Sequence, residues 1–137
     1  MATFQFFNSF KEAVCEKSHN LGADTLHWML TNTAPSAANS VKADLTEIAA
    51  GNGYTAGGTA VTVSSSAQSG GTYTLALNAC VFTAAGGSFA AFRYPVLYNN
   101  TATNDELIGW LDYGTSYTLT VGNTFTLPAQ TVFTLSG

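Results

Sequence analysis

The feature that most limits what this chain can fold into is a period of two. Over residues 59–66 apolar and hydroxyl side chains alternate around Val61 and Val63, and over Thr72–Leu77 they alternate around Tyr73, Leu75 and Leu77. That spacing places successive side chains on opposite faces of an extended backbone. Between the two runs lies Gln68-Ser69-Gly70-Gly71, whose glycines reach the positive φ of a tight turn, so the runs are predicted to pair as a hairpin.

The same period recurs along the chain. Leu26, Trp28 and Leu30 share one face of a predicted strand, with Thr25, His27, Met29 and Thr31 on the other. Val81 and Phe82 form a short run before Ala84-Ala85-Gly86-Gly87. Residues 88–99 are apolar on both faces, which predicts a central strand, with Pro95 marking a bulge or the point where a neighbour ends. A polar turn over 99–104 then joins it to a strand over 106–113, and the tail repeats the pattern over 118–121, 124–127 and 131–135. Threonine-rich alternation of this kind predicts a mainly β protein: a single antiparallel β-sandwich or jelly-roll-like domain over residues 8–137.

One helix interrupts the strands, near residues 9–19. Ser9 and Glu12 match a capping box, Phe10, Ala13 and Val14 share a face, and Asn20 with Gly22 is expected to end it. Ahead of it, residues 1–7 form an arm with Phe4, Phe6 and Phe7, too much aromatic surface for a free tail. These three either anchor the chain to a partner or complete its own core. Residues 41–50 read as a short helix or turn with Asp44 and Glu47 outward, delivering the chain into Gly51-Asn52-Gly53-Tyr54-Thr55-Ala56-Gly57-Gly58. Glycines there permit sharp bends, so Gly53, Tyr54, Gly57 and Gly58 are expected to form a structural corner, plugged by the Tyr54 ring while its hydroxyl seeks a partner. A phosphate-binding loop would need a lysine followed by Ser or Thr, and none follows.

Composition narrows the function. Of 137 residues only 9% are charged and 46% are hydrophobic, with a net charge of −4. Phosphate backbones have little to bind here, so no nucleic-acid role is expected. The start of the chain has neither the basic nor the apolar region of a signal peptide and no window suits a membrane span, so cytosolic synthesis is expected. Cys15 and Cys80 lie far apart without CxxC spacing and read as free and buried. His19 and His27 lack metal-ligand spacing, Asp105 and Glu106 read as a solvated loop, and no serine sits in a nucleophile elbow. The expectation is a protein with no catalytic residue, no cofactor and no metal. Arg93, the lone arginine, falls on the central strand, and a buried charge there needs a partner, for which Asp112 is the candidate.

Taken in order, Leu26-His27-Trp28-Met29-Leu30-Thr31, the glutamate Glu47 ahead of Gly51-Asn52-Gly53-Tyr54-Thr55-Ala56-Gly57-Gly58, then Phe92-Arg93-Tyr94-Pro95-Val96-Leu97-Tyr98-Asn99 and Leu107-Ile108-Gly109-Trp110-Leu111-Asp112-Tyr113-Gly114 span most of residues 24–114. In that order and spacing the chain resembles a group of small tailed-bacteriophage virion proteins, from which it departs at Phe92 and Pro95. The resemblance implies a structural role in the virion, synthesised in the host bacterial cytoplasm, and in particular a capsid decoration, or cement, protein. Its implied partners are the major capsid protein and further copies of itself, as a homo-oligomer on the particle, with neither membrane nor nucleic acid involved. The alternative is a tail or receptor-binding module of the same virion, with Trp110, Tyr113 and Tyr117 as an aromatic platform.

Overall fold

The computed structural model describes residues 3–136. Among the described residues ten strands and one α-helix follow one another as β1 Gln5–Phe6, α1 Asn8–Cys15, β2 Leu26–Thr31, β3 Thr59–Val61, β4 Val63–Ser69, β5 Thr72–Leu77, β6 Cys80–Thr83, β7 Tyr94–Asn99, β8 Leu107–Trp110, β9 Thr124–Leu127 and β10 Gln130–Ser136. Three antiparallel sheets result, ordered β1-β8-β7-β2-β3, β10-β5-β4 and β6-β9. The fold is mainly β with one short N-terminal helix, as the alternation predicts, and the sheets do not close into a barrel.

The sheets share one apolar interior. Leu26, Trp28, Leu30, Leu97 and Ile108 of the five-stranded sheet meet Leu75, Leu77 and Val132 of the three-stranded sheet and Cys80, Phe82 and Leu127 of the two-stranded one. Met29, Val96, Tyr98 and Leu107 point the other way, into a second cluster with Phe7, against which Leu45 and Trp110 pack. Burial on both faces makes β2 and β7 the centre of their sheet, and it explains why their outward positions also carry apolar side chains. The ladder between β7 and β8 ends at Val96 and Trp110, one residue past Pro95, so the proline does stand where a neighbour ends.

Several local expectations change. The predicted run 59–66 is divided at Thr62, where the chain leaves the five-stranded sheet for the three-stranded one. Only Tyr94–Asn99 of the long extended segment is a strand; before it, Phe92 makes an isolated bridge to Tyr117. Residues 118–121 form no strand, because Leu119 is spent accepting from the Phe89 amide and the chain turns at once at Gly122. Residues 41–50 hold a 3-10 turn, Lys42–Asp44, and no longer helix.

The helix is shorter than its sequence pattern. Its N-cap is Phe7, with no side-chain cap, so the Ser9–Glu12 capping box does not form. Phe7 is fully buried, and that packing sets where the helix begins. At the other end Lys17 adopts a left-handed φ of 68°, the Ser18 amide donates to the Ala13 carbonyl and the Lys17 amide to the Val14 carbonyl. That pair of bonds ends the helix well before Gly22.

Candidate interaction surface

The glycine corner is where the local sequence and the tertiary structure agree most closely. Gly53 at φ 98° and Gly58 at φ 79° take backbone conformations that a side chain disfavours, and an added Cβ would overlap the Thr83 carbonyl oxygen at Gly53 and the Trp28 carbonyl oxygen at Gly58. Tyr54 is 3% exposed and packs on Phe82 and Phe89. Its hydroxyl accepts from the Leu30 amide at 3.1 Å and donates to Glu47 Oε2 at 2.5 Å. Glu47 therefore points inward, contrary to the outward position expected of it, and it also accepts from the Gly57 amide at 2.6 Å while Lys42 Nζ stands 3.4 Å from Oε1. Tyr98 closes the set by donating to the Gly57 carbonyl at 2.6 Å. Burial, reinforced by the bond to Glu47, raises the Tyr54 phenol far above its ordinary range, and burial pushes Tyr98 up to about 12. Both stay neutral donors at any physiological pH, which suits a brace.

The aromatic arm is part of the molecule's own body. Gln5 and Phe6 add strand β1 to the edge of β8, and Phe7 is buried against Trp110, with ring centroids 4.6 Å apart. Phe4 sits over Gly109 and on the edge of Trp28, while Phe6 stacks on Phe10. Of the two roles expected for Phe4, Phe6 and Phe7, these contacts fulfil the core role, and a fully buried Phe7 has no surface to offer a partner.

Arg93 and Asp112 do pair, through Nε to Oδ1 at 2.7 Å and Nη2 to Oδ2 at 3.1 Å. The expectation that the pair is buried is corrected: the two side chains are 35% and 44% exposed. The reason is that Arg93 precedes β7 and Asp112 follows β8, beyond the covered part of the sheet. The shared hydrogen bonds raise the guanidinium pKa and, together with the Gly114 amide, lower that of the carboxyl. In this solvated setting the pair orients two loops more than it stabilises them.

Two other assignments shift. Cys80 is buried and free, its thiol pushed up to about 11 by burial, but Cys15 is exposed at the end of α1. Glu106 is not a solvated loop residue: its Oε2 is buried without a hydrogen-bond partner. His19 is 6% exposed, with Nδ1 3.0 Å from Asn99 Nδ2. His27 is half-buried, near the Gly57 carbonyl. Eighty positions separate His19 from Asn99, and no local motif announces such a pairing.

What faces outward is weakly charged. In the β10-β5-β4 sheet both outer strands run for seven residues without a charged side chain or a proline: Val63-Ser64-Ser65-Ser66-Ala67-Gln68-Ser69 and Gln130-Thr131-Val132-Phe133-Thr134-Leu135-Ser136. Each pairs with β5 on one side only, which leaves two rows of backbone donors and acceptors unpaired by another strand. Val81, Tyr117, Val121 and Leu135 are the large apolar side chains most exposed among the described residues. Tyr113 and Tyr117 lie 6.1 Å apart, both against Phe125, whereas Trp110 faces the Phe7 side, so the platform expected from the three has two members. Among the described residues no group of three or more His, Cys, Asp or Glu side chains is placed to hold a metal ion, and no helix is long and apolar enough to cross a membrane. Comparison with protein families, with curated proteins and with solved structures finds no match.

Proposed function

We propose that this chain is a structural subunit of a bacteriophage virion, a capsid decoration protein that binds the assembled head at contacts between capsomers. The observation that carries the reading is the pair of uncharged, hydroxyl-rich edge strands of the β10-β5-β4 sheet, each paired by a strand on one side only. Proteins that live as free monomers usually blunt such edges with lysine, proline or a covering loop. Left open, an edge pairs readily with a strand presented by a neighbour. On a shell with many equivalent sites, avidity makes modest single contacts sufficient, and each added contact opposes the pressure of packed DNA. The resemblance to small virion proteins points the same way, and the weakly charged surface suits lateral packing.

The test mixes purified protein with heads that lack it and measures co-sedimentation and the heat resistance of the particle. Binding accompanied by a higher disruption temperature supports the proposal. The exposed edge substitutions Ser65→Lys and Thr134→Lys should weaken binding while leaving the melting temperature of the free protein within a few degrees. A second reading, a tail or receptor-binding module, draws on the Tyr113–Tyr117 pair, since aromatic faces with polar neighbours suit glycans. Retention on host cells without retention on heads would favour it.

A further inference from the structure

Asn99 fixes the tautomer of the neutral His19 ring. The Asn99 Oδ1 accepts from the amides of Thr101 at 2.9 Å and Ala102 at 3.1 Å, so the side-chain amide cannot be turned around without losing both bonds. Its nitrogen therefore carries the two outward hydrogens. One goes to Asp24 Oδ2 at 2.6 Å, and the other meets His19 Nδ1 at 3.0 Å. Nδ1 must then be an acceptor without a proton, and the single proton of the neutral ring lies on Nε2, which is buried and unpartnered. A second proton can be added only at Nδ1, where it would confront the Asn99 N–H.

We infer that His19 is an acid-sensitive latch: its neutral ring holds the loop over residues 16–25 against the 99–106 turn, and protonation at Nδ1 releases that loop from the body. Three elements meet here. Asn20 and Asp24 tie the loop to itself and to Asn99, the Thr25 amide reaches Thr101 Oγ1 at 2.8 Å, and the Phe10 ring of α1 lies 5.5 Å from the imidazole. The charged groups around the ring are Asp24 on its own loop, Glu106 from the turn and Lys17 at the loop's start. The two carboxylates favour the proton, yet burial outweighs them, and His19 titrates below its ordinary 6.5. The sign follows: an opened loop has the ordinary histidine value, the closed one a lower value, so closure is fully favoured above pH 6.5 and is lost progressively below it. Opening widens the groove of about 550 Å³ between the loop and the three-stranded sheet, which Leu21, Tyr73, Phe133 and Leu135 line.

Hydrogen exchange read by mass spectrometry, corrected for intrinsic rates, tests the latch on the full chain and on His19→Gln. Glutamine offers Asn99 the same kind of acceptor and cannot titrate, and any contribution of Asp24 or Glu106 is common to both proteins. Between about pH 7.5 and about pH 5, opening of the 16–25 and 99–106 segments should rise by up to about thirtyfold in the native chain and stay flat in the variant. An equal rise in both, or none in either, overturns the inference. Should the variant fail to fold, the ¹⁵N shifts of His19 in the native protein decide: a bare Nδ1 and protonated Nε2 at neutral pH support the latch, and the reverse tautomer or a charged ring refutes it.

Discussion

The Tyr54 hydroxyl holds two groups that are otherwise hard to satisfy, the Leu30 amide in the middle of β2 and the carboxylate of Glu47. Tyr54→Phe keeps the ring packing and removes only the oxygen, which should cost about 1–3 kcal/mol in urea unfolding because both partners are left short of a bond. Gly58→Ala should cost about 3 kcal/mol or more, since strain at positive φ adds to the collision with the Trp28 carbonyl. A reversed order of the two losses would contradict the account of the corner. The cysteines give a second check at this scale: a maleimide reagent should modify Cys15 rapidly and reach Cys80 only as the chain unfolds. The corner was legible because glycine and tyrosine announce their geometry in the sequence. Its acceptor was not, since a short helix or turn over 41–50 puts Glu47 outward, whereas the chain is extended beyond Asp44 and the Glu47 carboxylate meets Tyr54. His19 and Asn99 were illegible for a different reason, because only the tertiary fold brings their segments together.

At the scale of elements, the alternating runs translate directly into β5, β9 and β10, and the Gly70-Gly71 turn joins β4 to β5 as expected. Alternation says which face a residue takes but not how a chain is shared among sheets, so the break at Thr62 and the loss of a strand at 118–121 could not be read from it. The helix shows a local signal overruled by packing: Ser9 and Glu12 fit a capping box, but burying Phe7 sets the N-cap at Phe7, ahead of Ser9. The N-terminal segment makes a direct prediction. Phe7→Ala should destabilise the protein by about 3–5 kcal/mol, and removal of residues 1–7 should lower its melting temperature sharply, because β1 completes the edge of β8 and Phe7 fills the second cluster. Unchanged stability in either variant, measured by thermal unfolding, would return the arm to the role of a free anchor. The edges of the β10-β5-β4 sheet behave oppositely: Ser65→Lys and Thr134→Lys alter what the molecule can touch and leave its interior alone.

For the whole molecule, three sheets share a core packed with aromatic and aliphatic side chains, and the chain is short of charge. Such a body is well suited to wedging between repeated neighbours, and its low charge gives little electrostatic resistance to close packing. Mainly β architecture was legible in the sequence from periodicity and hydroxyl content. Sheet order was not, since strands adjacent in a sheet, such as β10 and β5 or β1 and β8, are distant along the chain. The proposed role in a virion is a claim about number and place, so it is tested most directly by counting copies in purified particles against the major capsid protein, using isotope-labelled peptides. The account predicts copies on the order of hundreds per head, lost together when the shell is disrupted. A dozen copies or fewer, or none on the head at all, would contradict it.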